Sequence, residues 1–160
     1  MIDSFGGIFV RKGQKPDDGD DLPRVDVAAV LIMQEGRILA VFNEKWNCFT
    51  LPMTKRAPDE SWDAAARRAA REWIPSPEET AFLMDLAEFV ASRRDEETRR
   101  YHVRLYKADL EEDAVPTGPR AEWWSAQWFV RHGKTEVSPT AEHIVQALLE
   151  NAWNLGLTFA

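Results

Sequence analysis

The apolar positions of this chain fall into runs with clear periods. Val25 to Met33 is almost wholly apolar and rich in β-branched residues, which predicts a strand buried on both faces. Gln34-Glu35-Gly36 predicts a hairpin turn, with Arg37 to Phe42 as the returning strand. Asn43 to Asn47 is a loop, and Cys48 to Leu51 is a short strand that stops at Pro52. After a polar connection, Lys55 to Glu60, the period changes. Ser61 is an N-cap, and Trp62 to Trp73 predicts a helix closed by Pro75 and Pro77. Its apolar stripe is Trp62, Ala65, Ala66, Ala69, Ala70 and Trp73; Asp63, Arg67, Arg68, Arg71 and Glu72 form the polar one. Phe82 to Ser92 and Arg99 to Asp109 predict a β-hairpin around a charged tip, Arg93 to Glu97, because Tyr101, Val103 and Leu105 alternate with His102 and Arg104. Trp123 to Val130 reads as an aromatic strand. Ser138-Pro139 opens a last helix, Thr140 to Trp153, with Ile144, Ala147, Leu148 and Trp153 on its buried side.

This order of strands, helix, strands and helix predicts an α/β sandwich with a mixed sheet between helices. Ser4 to Val10 is a short edge strand, and Lys12 to Pro23 is polar and aspartate-rich. Residues 1–24 are therefore expected to be an edge strand and a mobile loop, and residues 25–160 one domain without internal repeats.

Composition narrows the function. The net charge of -7 argues against a general nucleic-acid binder. No apolar run reaches the length of a membrane span, and the N-terminus lacks the pattern of a secretory signal. A single cysteine, Cys48, excludes an internal disulfide and a thiolate zinc site, and fits a reducing cytoplasm. His102, His132 and His143 show no metal-ligand spacing. The tryptophans at 123, 124 or 128, if exposed, would favour a homodimer.

The stretch from Leu51 to Pro75, LPMTKRAPDESWDAAARRAAREWIP, resembles the box of the Nudix hydrolase superfamily, G-x5-E-x7-R-E-U-x-E-E-x-G-U. With the first glutamate of the box on Glu60, its arginine falls on Arg68, and a degenerate box spans Thr54–Ser76. The resemblance implies a Nudix-like α/β/α fold, and it makes Glu60 and Arg68 a pair that braces the loop against the helix. Thr54 stands at the leading glycine of the box, preceded by Met53, which suggests a changed loop shape. The helix glutamates fall on Ala69, Glu72 and Trp73. Positions 69, 72 and 73 share one helical face, where three carboxylates would make an all-oxygen cation site. No shift of register restores more than one helix carboxylate.

The resemblance therefore implies Mg²⁺ or Mn²⁺ chemistry with Glu72 as the surviving catalytic and metal candidate, holding an ion weakly. Asp95, Glu96 and Glu97, at the hairpin tip, are candidates for a distant base. The box is also locally basic. Lys55, Arg56 and Arg71 are candidates to hold an anion directly, and Trp46 and Phe49 to stack on a base. Three readings follow: a module binding a nucleotide or other diphosphate-type anion, with hydrolysis weak or lost; an active metal-dependent pyrophosphohydrolase of nucleoside diphosphate derivatives; or an interaction scaffold without a small ligand. Residue chemistry favours the first.

Overall fold

Strand β3, Arg24–Gln34, runs through the middle of a ten-stranded sheet in the computed structural model, which describes residues 2–5, 8–11, 22–74, 80–93, 98–110, 116, 120–131 and 137–160. Its partners explain its uninterrupted apolar character. On one side it pairs in parallel with β9, Thr98–Asp109, from Arg24 opposite Arg100 to Met33 opposite Asp109. On the other it pairs with β4, Arg37–Asn43, and with a three-residue strand β6, Met53–Lys55. Helices cover both faces, so alternate residues of β3 enter different cores. Val27, Ala29 and Leu31 join the core under α2, Ala126–Arg131, and α3, Pro139–Leu155. Ala28, Val30 and Ile32 join the core under α1, Trp62–Arg71.

The remaining strands extend the sheet outward. β1, Ile2–Phe5, pairs with β2, Ile8–Arg11, and β2 with β8, Phe89–Arg93, which reaches β9. At the other edge β10, Ala121–Trp124, lies along β4, as does β5, Cys48–Thr50. The result is the α/β/α sandwich with a mixed sheet that the sequence predicts. The β3–β4 turn carries Glu35 and Gly36 at φ 53° and 78°, the double positive φ of a type I′ hairpin.

Helix α1 sits close to the sheet because its inward side is four buried alanines, Ala65, Ala66, Ala69 and Ala70, opposite Ala28 and Val30. The Ser61 hydroxyl caps it by accepting the Ala64 N–H at 3.1 Å. Trp62 and Trp73 close the two ends of this thin layer.

Several expectations are corrected. Residues 123–130 are not one strand: the chain leaves the sheet at Trp124 and turns into α2, with Ala126 and Phe129 buried at helical spacing and Trp128 exposed. Trp153 is not on the buried side of α3; it is 95% exposed. The stripe Ala141, Ile144, Val145, Leu148 continues by helical spacing to Ala152 and Leu155, which leaves Trp153 facing outward. Phe82 to Ser92 is two strands: β7, Thr80–Asp85, and β8 are separated at Leu86 to Glu88 and pair with opposite ends of β9, β7 with a bulge between Phe82 and Met84. Most of the Lys12–Pro23 loop, the tip at 94–97, His132 and most of the stretch Leu110 to Arg120, which its acidic, Pro- and Gly-bearing sequence predicts to be a loop, lie outside the described residues.

Candidate functional site

The box stretch first runs as an extra strand. Lys55, Thr54 and Met53 pair with Val27, Ala28 and Ala29, and the neighbouring Val30 and Arg56 amides donate to Pro52 and Asp26 carbonyls at 2.9 and 2.8 Å. Thr54 therefore sits in extended backbone, and no left-handed conformation is needed there. The chain then turns at residues 57–60, where the Ala57 N–H donates to Glu60 Oε1 at 3.1 Å and the Glu60 N–H donates to the Ala57 carbonyl at 3.0 Å.

Arg68, one face of α1 away, reaches back across this turn. Its Nε and Nη2 donate to the two carboxylate oxygens of Glu60 at 2.9 and 2.8 Å, in the fork geometry that only arginine offers. Nη1 donates to Thr54 Oγ1 and Nη2 also to the Lys55 carbonyl, each at 2.8 Å. The hydroxyl of Thr54 thus serves as an arginine acceptor. The Arg68 guanidinium and the Ala57 N–H hold the Glu60 carboxyl down to about 2, from an ordinary 4.5.

Arg56 faces the other way. It donates to Asp26 Oδ2 at 2.5 Å and to the Glu60 carbonyl at 3.0 Å. Asp26 also accepts from Arg24 at 3.0 Å. Partial burial raises the Asp26 carboxyl, but Arg56 and Arg24 outweigh it and hold it below its usual range. Arg56 and Arg104 both lie over the Trp62 ring, at 5.0 and 4.8 Å from its centroid. His102 Nε2 donates to Asp85 Oδ1 at 2.8 Å, beside Arg104, which donates to the same oxygen at 3.2 Å. The start of α1 is thus walled by paired charges.

The far end of α1 differs. Ala69 is fully packed in the core, Trp73 packs beside it, and Glu72 is exposed at the C-cap. Among the described residues no three His, Cys, Asp or Glu side chains are grouped as metal ligands. One exposed carboxylate does not fit the hard-cation cage that the box implies, so no chemical step is derived through a metal here. Arg71 is exposed in the last turn of the helix.

The aromatic candidates do not share a cavity. Trp46 and Lys55 line one of about 190 Å³, together with Val27, Met53, Thr54, Tyr101 and Thr140, under the start of α3. Phe49 lines another, at the β10 edge. Sequence reasoning missed Thr140 and Tyr101. Thr140 follows Ser138, the α3 N-cap, whose Oγ accepts from the Ala141 N–H at 3.0 Å and donates to Thr50 Oγ1 at 3.2 Å. The Thr140 hydroxyl is buried and has no hydrogen-bond partner among the described residues. A hydroxyl in the first turn of a helix was the available signal.

No protein-family model matches the chain, and no curated protein is detectably similar to it in sequence. Solved structures show a likeness in fold. A MutT protein from Methanosarcina mazei Go1 superposes with a TM-score of 0.63 at 15% identity, over 82% of this chain and 97% of that one. The Nudix hydrolase RenU from M. smegmatis superposes at 0.57 and 19% identity, over 82% and 88%. A bifunctional NMN adenylyltransferase/ADP ribose pyrophosphatase from Francisella tularensis, complexed with AMP and manganese, superposes at 0.60 and 17% identity, over 84% of this chain and 43% of that one. The chain has the Nudix hydrolase fold.

Proposed function

We propose that the protein binds a nucleotide or similar diphosphate-type anion in the cavity under α3, with hydrolysis weak or lost. The observation that carries this reading is the buried, unpartnered hydroxyl of Thr140 in a cavity walled by Trp46 and Tyr101. An unsatisfied buried hydroxyl costs about 1–3 kcal/mol, and a ligand that bonds it recovers that cost. The volume, about 190 Å³, suits one flat ring rather than a whole nucleotide. The ring would enter between Trp46 and Tyr101, and its phosphates would lie outside, against Lys55. Glu60 and Arg68 would act as positioning residues that hold the Thr54–Lys55 strand in place. Arg56 and Arg71 would add positive potential rather than direct contacts, since Arg56 is already paired with Asp26. Phe49 has no place in this cavity.

Weak hydrolysis follows from Ala69 and Trp73, which supply no oxygen where the box places carboxylates, so Mg²⁺ or Mn²⁺ would have only Glu72 from the helix. The likeness to the manganese-bound Francisella protein keeps the pyrophosphohydrolase reading as the alternative. One experiment separates them. Thermal melting with ADP-ribose and AMP, with EDTA or with Mn²⁺, is expected to show a rise that is the same in both, lost in Thr140→Val and Trp46→Ala. A rise that requires Mn²⁺, with Mn²⁺-dependent release of products abolished in Glu72→Gln, would establish the hydrolase instead. No rise with either ligand would leave the scaffold reading, with Trp128 and Trp153 as its exposed contacts.

A further inference from the structure

On the α2/α3 face of the sheet, at the β10 edge, a second and larger cavity of about 580 Å³ opens between β4, β5, β10 and α2. Its wall is aromatic. Phe42 meets Phe49 edge-on at 5.2 Å, Phe49 leans on Trp124 at 4.8 Å, and Trp124 meets Trp128 edge-on at 5.9 Å. Trp124 is nearly buried, whereas Trp128 is 45% exposed and offers the cavity a ring surface.

Two opposite charges stand on this wall. The Arg120 carbonyl accepts from the Phe42 N–H at 3.0 Å, which fixes where its side chain starts. Its guanidinium then lies 3.7 Å from the Phe42 ring centroid and 5.8 Å from that of Phe49. It pairs with no carboxylate among the described residues. A guanidinium held over a ring can still donate its outer N–H groups to an acceptor. Glu122, two residues on, holds one oxygen to the Trp124 indole N–H at 3.2 Å, and a carboxylate has capacity for further donors. The set combines an apolar, aromatic lining with a few convergent polar groups, which is the make-up of a small-molecule site.

We propose that this cavity is a second ligand site, for a flat aromatic ring that carries both an anionic group and an N–H donor. The ring stacks on Trp128, the anion meets Arg120, and the N–H bonds Glu122. Two sources share that chemistry: an aromatic amino acid, through its carboxylate and ammonium, and a guanine nucleotide, through its phosphate and the N–H edge of its base. The site is independent of the cavity at Thr140, and neither proposal rests on the other.

The test is isothermal titration calorimetry of the full chain with L-phenylalanine and, separately, guanosine 5′-monophosphate. One of the two is expected to bind. Arg120→Met should weaken it at least about tenfold, and Glu122→Gln about tenfold, as loss of a charge-assisted hydrogen bond predicts. Both side chains are exposed, so neither variant should unfold the protein, which melting of each variant checks. Trp46→Ala, in the other cavity, should change the affinity less than about twofold. Binding of phenylalanine identifies the amino-acid class and binding of the nucleotide the guanine class. The proposal is overturned if neither probe binds, if Arg120→Met binds as tightly as wild type, or if Trp46→Ala removes binding, which would place the probe at Thr140 instead.

Discussion

The two ends of helix α1 show opposite treatment of the same sequence motif. The loop entering its start is held by Arg68, which reaches back from the last turn of the helix to Glu60, Thr54 and the Lys55 carbonyl at once, and by Arg56, which ties the same turn to Asp26 in β3. At its end, Ala69 is sealed into the core, Trp73 packs as a hydrophobe, and Glu72 is exposed at the C-cap. The start is architecture: it fixes how a loop meets a helix. The end is where the box would place chemistry, and here it has been given to packing. The shape of the motif and its metal chemistry thus depend on different residues.

The sharpest way to break this contrast is to return a carboxylate to the far end. Ala69→Glu buries a charge in a space built for a methyl group and is expected to destabilise by at least about 3 kcal/mol in denaturant unfolding. Recovery of that loss on adding Mn²⁺ would show that the helix end still has the geometry of an ion site. At the near end, Arg68→Ala should lower the melting temperature by about 3 °C, a modest figure because the pair faces solvent. Arg68→Lys should not restore it, since a point charge cannot bridge three acceptors as the fork does.

The same end should dominate the acid response. Glu60 titrates at about 2 in the folded protein against 4.5 ordinarily, so it favours the folded state above 4.5, and that contribution is lost as the pH falls from about 4.5 to about 2. Stability measured across this window should fall less steeply in Glu60→Gln than in wild type. Equal slopes would show that the pair is broken in solution. The smallest effect belongs to Trp153: at 95% exposure, Trp153→Ser should stay within about 0.5 kcal/mol of wild type in the same unfolding measurement.

Legibility in the sequence followed the strength of the local signal. The run Val25 to Met33, the turn at Gly36, and the capped, alanine-lined helix from Ser61 each declare themselves within a dozen residues or so, and the structure has them. The short strand Met53–Lys55 was hidden because its order comes from β3 rather than from its own composition. Helix α2 was hidden because four aromatic residues near Ala126 favour a strand locally, while burial of Ala126 and Phe129 decides for a helix. For the site, Glu60 and Arg68 could be paired from spacing alone. The separation of Trp46 from Phe49 could not, since Trp46 lies in the turn before β5 and Phe49 within the strand, and the tertiary fold decides which cavity each lines. Thr140 became visible only when the hydrogen bonds around it were accounted for.

The parallel ladder between β3 and β9 has a consequence for how the molecule forms. It joins the first quarter of the chain to the region beyond its middle, Arg24 with Arg100 through Met33 with Asp109, and both cores are built on it. Parallel pairing over such a distance requires a long loop to close before either helix has a surface to pack on. Folding should thus be slow and all-or-none, and a chain cut between α1 and β7 should yield two halves that assemble together or not at all.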